Sequence, residues 1–127
     1  MKKILMVDDS RTTLFLERTI LRNAPYELIE AADGAQAVDK ALAERPDLIL
    51  LDMMMPTMNG LEALRRLREM EATRSIPVIM VTTRSESDRV DTAFELGCTD
   101  YVTKPIDQKT LLEKVRELLA EPERLDG

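Results

Sequence analysis

The sequence predicts one α/β domain: a doubly wound parallel sheet of five strands in the order 2-1-3-4-5, covered by five helices. Three observations carry this. Short apolar runs alternate with amphipathic stretches along the chain, the pattern of repeated strand–helix–strand units. Three of those runs, Ile4-Leu5-Met6-Val7, Leu48-Ile49-Leu50-Leu51 and Val78-Ile79-Met80-Val81, are unbroken aliphatics, as strands buried on both faces require. The run between the first two is more polar and suits an edge. The order 2-1-3-4-5 satisfies all of this.

The elements follow in turn. Strand 1 stops at Asp8-Asp9-Ser10, and Asp9 or Ser10 caps a helix reaching about Asn23, ahead of Pro25. Tyr26 to Ala31 alternates imperfectly and reads as the edge strand. Asp33-Gly34 marks a turn, and Ala35 to Glu44 is an alanine-rich helix that ends before Pro46. Strand 3 ends abruptly on Asp52, and Pro56 forbids its continuation as a central strand. Asn59-Gly60 opens a helix with Leu61, Leu64 and Leu67 inward and Arg65, Arg66, Arg68 and Glu69 outward. Strand 4 ends at Thr82-Thr83. A helix from about Ser85 carries Val90, Ala93 and Phe94 on one stripe, with Gly97 at its C-terminal cap. Asp100 to Thr103 is strand 5, closed by Lys104-Pro105. The last helix places Leu111, Leu112, Val115, Leu118 and Leu119 on one face. Residues 1–121 form the domain, and 122–127 form a short flexible C-terminal tail with too little apolar content to pack.

Composition narrows the function. A net charge of −6 argues against nucleic acid as the main partner, because phosphate backbones need a basic footprint. No apolar run approaches the roughly 18 residues of a membrane span, and the start lacks a signal peptide's features. The single cysteine, Cys98, excludes an internal disulfide and fits a reducing, cytoplasmic setting. The chain has no histidine, which removes Ser-His-Asp and Cys-His catalysis and every zinc site built on imidazole.

The chemistry centres on Asp52. An acid at the carboxyl end of a buried parallel strand sits where open α/β sheets place ligands. With the assumed strand order, Asp8, Asp9, Asp52, Thr82 and Lys104 all lie at carboxyl ends of the adjacent strands 1, 3, 4 and 5, and converge on one pocket. Three crowded carboxylates repel and stay ionised only beside a cation. Hard oxygen ligands with room for waters suit Mg²⁺, which prefers octahedral oxygen at about 2.1 Å. A metal-bound carboxylate facing a phosphoryl donor is a candidate nucleophile.

Asp8-Asp9, the run Asp52 to Pro56, Thr82 and Lys104-Pro105 together resemble the signature of the two-component response-regulator receiver domain, of the CheY-like, stand-alone type. The resemblance covers residues 2 to about 120 and implies a flavodoxin-like fold. It further implies that Asp52 accepts a phosphoryl group from a phosphohistidine on a sensor histidine kinase or phosphotransfer protein. The Mg²⁺ ligands it implies are Asp9 and Asp52 directly, Asp8 through water, and the backbone carbonyl of Met54. The implied phosphoryl contacts are Lys104, the Thr82 hydroxyl and the backbone N–H of Met53 and Thr83, with a cis Lys104-Pro105 bond aiming the lysine inward. Thr82 and Tyr101 form the implied switch, which reshapes the helix 4–strand 5–helix 5 face for an unknown downstream protein. The resemblance also implies that Met54 and Arg84 flank the water path, where an apolar Met54 and a long Arg84 are expected to slow phosphoryl hydrolysis. The expectation is a non-enzymatic, cytoplasmic phosphoacceptor, a monomer or weak dimer, with no membrane insertion and no output module after the last helix. Three alternatives remain: a receiver cut from a longer regulator, a haloacid-dehalogenase-like phosphohydrolase, and a receiver-like scaffold without phosphorylation. Met54 argues against the second, since such enzymes carry an acid two residues after the nucleophile.

Overall fold

The computed structural model describes residues 1–120; the predicted tail at 122–127 lies outside them. The elements run β1 (Lys2–Val7), α1 (Arg11–Leu21), β2 (Tyr26–Ala31), α2 (Gly34–Glu44), β3 (Leu48–Asp52), α3 (Gly60–Glu69), β4 (Val78–Thr82), a 3₁₀ segment (Arg84–Arg89), α4 (Val90–Glu95), β5 (Asp100–Thr103) and α5 (Gln108–Leu119). All strand pairs are parallel, in the order β2-β1-β3-β4-β5.

The strict alternation of the central strands divides the core in two. Leu5, Val7, Ile49, Leu51, Val78 and Met80 face one layer, where Ala37, Val38 and Ala41 of α2, Ala63, Leu64 and Leu67 of α3 and Ala93 of α4 complete the packing. Ile4, Met6, Leu48, Leu50, Ile79 and Val81 face the other, against Leu14, Ile20 and Leu21 of α1 and Leu111, Val115 and Leu119 of α5. Every residue of β3 and β4 is buried, as a strand covered by helices on both sides must be.

Local signals set the helix ends. The Ser10 hydroxyl accepts from the Thr13 N–H at 3.2 Å, Asp33 from the Gln36 N–H at 2.8 Å, Asn59 from the Glu62 N–H at 2.9 Å and Asp107 from the Thr110 N–H at 2.9 Å, each satisfying a donor the helix leaves orphaned. Gly60 has a second role. Its N–H donates to the Met53 carbonyl at 2.8 Å, and a Cβ there would lie 2.1 Å from the Asp52 carbonyl oxygen. Only glycine lets α3 begin this close to the end of β3.

The segment after β4 departs from the expected regular helix. It starts as six residues of 3₁₀ geometry, and only Val90–Glu95 is α-helical. Within α4 the positions turned to the core are not the expected stripe of Val90, Ala93 and Phe94. Ala93 is buried and Leu96 packs on the core, whereas Phe94, expected inward, is 45% exposed. Arg68, expected outward, is half-buried. Its Nε donates to the Gly97 carbonyl at 2.9 Å, tying α3 to the turn where Gly97 holds a φ of 103°.

Candidate functional site

The sheet register sets the site. Val7 pairs with Leu51, Asp52 with Val81 and Thr82 with Thr103. Asp8, Asp52, Thr82 and Lys104 are thus the last or next residues of four adjacent strands, all at one end. Oxygens of Asp8, Asp9 and Asp52 lie within 4.8 Å of one another. The Lys104 Nζ sits 3.1 Å from Asp8 Oδ2 and 3.2 Å from Asp52 Oδ1. The Lys104-Pro105 bond is cis, and the Lys104 N–H donates to the Thr82 carbonyl at 2.7 Å. Asp8 is fully buried and its Oδ1 accepts from the Ser10 N–H at 2.8 Å, while Asp9 is exposed at the rim.

The electrostatics follow from crowding. Burial, then the charge of Asp8, pushes the Asp52 carboxyl up to about 6, against the opposing pull of Lys104. Burial lowers the proton affinity of Lys104, but Asp52 and Asp8 outweigh it and hold the ammonium above its ordinary value. A buried, partly charged oxygen cluster with one cation and an open, exposed third acid fits a hard divalent ion.

Around this cluster, Thr82 is fully buried, and its hydroxyl faces two acceptors, the Thr83 carbonyl at 3.2 Å and Glu86 Oε1 at 3.3 Å. The same Glu86 oxygen accepts the Thr83 N–H at 2.8 Å and the Thr83 hydroxyl at 3.0 Å. The Met53 N–H, expected at the phosphoryl group, donates instead to the Val81 carbonyl at 2.9 Å. It extends the β3–β4 ladder by one bond and is not free in this conformation. Met54 is 43% exposed, and its sulfur receives Arg89 Nη1 at 2.7 Å. Arg84, singled out in the sequence, is exposed; the arginine in contact with the Met54 sulfur is Arg89. Tyr101 points outward, 36% exposed, edge-on to Phe94 with ring centroids 6.2 Å apart and with Lys114 Nζ 5.3 Å from its centroid.

Sequence reasoning missed three residues. Glu86 was signalled by Thr83-Arg84-Ser85-Glu86, the spacing of a capping box. Arg89 carried no signal, because its contact depends on the 3₁₀ turn. Glu17 occupies the position between Leu14 and Ile20–Leu21 that the inward stripe of α1 reserves for an apolar side chain. It is 1% exposed, and neither carboxylate oxygen has a hydrogen-bond partner. Burial, reinforced by the charge of Asp8, raises its carboxyl well above the ordinary range.

A family profile described as the response regulator receiver domain matches residues 4–116. The chain belongs to this family: it is a receiver domain of the two-component response regulators. Among curated relatives, protein PilH of Pseudomonas aeruginosa is 40% identical over 121 residues, covering 94% of this chain and 99% of PilH. The transcriptional regulatory protein CpxR of Escherichia coli is 44% identical over 120 residues, covering 94% of this chain but 50% of CpxR. The chain thus spans nearly all of PilH and about half of the regulators. In structure it is similar to the chemotaxis protein CheY4 of Vibrio cholerae, with a TM-score of 0.86, 34% identity and coverage of 94% and 99%. It is also similar to the receiver domain of the sensor histidine kinase PA1611 of P. aeruginosa, with a TM-score of 0.86, 29% identity and coverage of 94% and 98%. That neighbour holds a magnesium ion in its active-site cleft. No helix among the described residues is long and apolar enough to cross a membrane.

Two outcomes are expected. The folded chain holds the Asp52 proton more tightly than the unfolded chain, so ionising Asp52 lowers stability as pH rises from 3.8 to about 6. Above that range the whole cost persists. Thermal melting in EDTA at neutral pH should therefore show Asp52→Asn melting several degrees above the wild type, since Lys104 keeps Asp8 as a partner. Mg²⁺ at ten times its dissociation constant should add about 1.4 kcal/mol to the wild type and much less to the variant; equal shifts in both would contradict this. Separately, Glu17→Leu should stabilise the chain by about 1–3 kcal/mol in urea denaturation at neutral pH. A loss of stability would mean that the carboxylate is satisfied.

Proposed function

We propose that the chain is a phosphoacceptor that carries a phosphoryl group on Asp52, taken from a phosphohistidine on a sensor histidine kinase or phosphotransfer protein. The observation that supports it is the meeting of Asp8, Asp9, Asp52 and Lys104 at the ends of adjacent strands. An Asp52 carboxylate oxygen attacks phosphorus, the N–P bond of the phosphoimidazole breaks, and the departing imidazole nitrogen keeps the electron pair. The Lys104 ammonium meets the charge on the equatorial oxygens, and the Thr82 hydroxyl and Thr83 N–H donate hydrogen bonds to them.

Asp9, Asp52 and the Met54 carbonyl are the groups that would hold Mg²⁺, with Asp8 through water. When bound, the ion neutralises charge as donor and carboxylate approach. Asp8 also orients Lys104, whose Nζ it shares with Asp52. The thioether at Met54 cannot act as general acid or base, so nothing at that position promotes rapid turnover of the acyl phosphate. Thr82 and Tyr101 would report the modification on the α4–β5–α5 face, by a shift in conformer population.

Incubation with acetyl phosphate and Mg²⁺ should add about 80 Da to the wild type and nothing to Asp52→Asn. A wild type that stays unmodified would refute the reading. The lifetime of the product should depend on the cover over Asp52. Met54→Asn should lose phosphate several-fold faster than the wild type when the decay is timed, because a polar group there can orient water; an unchanged or slower decay would remove Met54 from this role.

A further inference from the structure

We propose that Glu86 occupies the phosphoryl-binding donors of the resting protein and acts as a latch that modification of Asp52 must displace. This rests on the receiver reading of Asp52, Thr82 and Thr83. One oxygen, Glu86 Oε1, accepts from the Thr83 N–H at 2.8 Å and the Thr83 hydroxyl at 3.0 Å, and lies 3.3 Å from the Thr82 hydroxyl, whose one proton it shares with the Thr83 carbonyl at 3.2 Å. Two of these donors are the groups through which β4 would contact phosphoryl oxygens. A carboxylate is a smaller anion of the same sign, and it satisfies them while Asp52 is bare.

A helix cap alone would not explain the arrangement. A capping box pairs the Glu86 carboxylate with the Thr83 N–H and the Thr83 side chain with the Glu86 N–H, yet the hydroxyl of Thr82, a fully buried residue of the preceding strand, also faces the same carboxylate oxygen. Both anions cannot hold these donors together. The phosphoryl group brings nearly two negative charges, so like-charge repulsion and loss of donors act together to expel Glu86. Its departure frees the Thr82 hydroxyl to turn and removes the tie at the start of the Arg84–Arg89 turn. Arg89, at the other end of that turn, holds Met54. The latch thus couples occupancy of the pocket to the segment that leads into α4. It also reduces apparent affinity, because only the unlatched fraction can bind.

The test uses the full chain as wild type, Glu86→Ala, Glu86→Asp, Glu86→Gln and Asp52→Asn. Beryllofluoride is titrated with Mg²⁺ present and followed by the Thr83 amide resonance, and acetyl-phosphate labelling is followed by mass. Loss of the charged acceptor should tighten beryllofluoride by about three- to tenfold and speed labelling comparably in Glu86→Ala. Glu86→Asp, too short to reach, should behave alike, and Glu86→Gln, which still accepts hydrogen bonds, should fall between. Amide exchange across Arg84–Arg89 should accelerate in the wild type only with beryllofluoride, and in Glu86→Ala without it. A merely structural role would lower the urea midpoint of the variants and leave affinity unchanged or weaker; that result, with labelling of Asp52 intact, overturns the latch. If Glu86→Ala folds poorly, Glu86→Asp and Glu86→Gln decide the matter by the same ordering. A wild type that neither gains mass nor binds beryllofluoride overturns the receiver reading itself.

Discussion

The ammonium of Lys104, shared between Asp8 and Asp52, is the contact on which the rest of the site depends. Three carboxylates with oxygens within 4.8 Å of one another would drive the strand ends apart or take up protons if left alone. One cation compensates part of that repulsion and leaves two negative charges when all three acids are ionised. The remainder matches a divalent ion. The carboxylates therefore crowd one another, and burial first, then the charge of Asp8, raises the Asp52 carboxyl to about 6. Such a site gains stability from whatever cation enters it, and this links the fold's energetics to its chemistry.

Holding like charges together needs a rigid frame, and the double-sided core supplies it. The residues next to the site, Val7, Leu51, Met53 and Val81, are at most 1% exposed. Close packing leaves the strand ends little freedom to relax away from one another. Gly60 extends the constraint to the loop. By starting α3 against the Asp52 carbonyl, it confines Met53 to Met58 to a tight excursion, with Thr57 at a φ of 70°. Met53 is drawn into the core and Met54 is left outside, so adjacent methionines serve unrelated purposes.

The sheet order and the acids were legible because they rest on features that tertiary structure seldom overrides: unbroken aliphatic strands, and polar residues at each strand's end. What escaped depended on geometry that spacing does not encode. Phe94 was placed inward with Val90 and Ala93, but α4 turns Ala93 and Leu96 to the core and leaves Phe94 outside against Tyr101. The Met53 N–H was placed at the phosphoryl group by resemblance alone; β3 does end at Asp52, yet one further backbone bond ties this N–H to the Val81 carbonyl. Glu17 was invisible for a different reason: its position in the stripe was clear, and its chemistry contradicts that position. Its carboxyl has no hydrogen-bond partner, and burial, then the charge of Asp8, favours the protonated form over a further negative charge near the acids. Places where local rules fail in this way tend to lie near function, and this one lies close enough for Asp8 to perturb it.

The outward position of Tyr101 has its own supports, which bear on how sharply the protein can switch. Its ring meets Phe94 edge-on and lies beside the Lys114 ammonium, and Lys114 is itself fixed by Asp100 and by the Tyr101 carbonyl, both at 2.8 Å. Inward rotation would forfeit the ring contacts, each worth about 0.5–1.5 kcal/mol. On the other side of β4, the Thr82 hydroxyl is engaged by Thr83 and Glu86. Two independent sets of contacts, on β5 and after β4, thus favour the same resting conformer. A ligand that satisfied Thr82 alone would work against both sets at once. On the proposed switch, an anion that draws Thr82 while displacing Glu86 would have the differential affinity needed to shift the conformer.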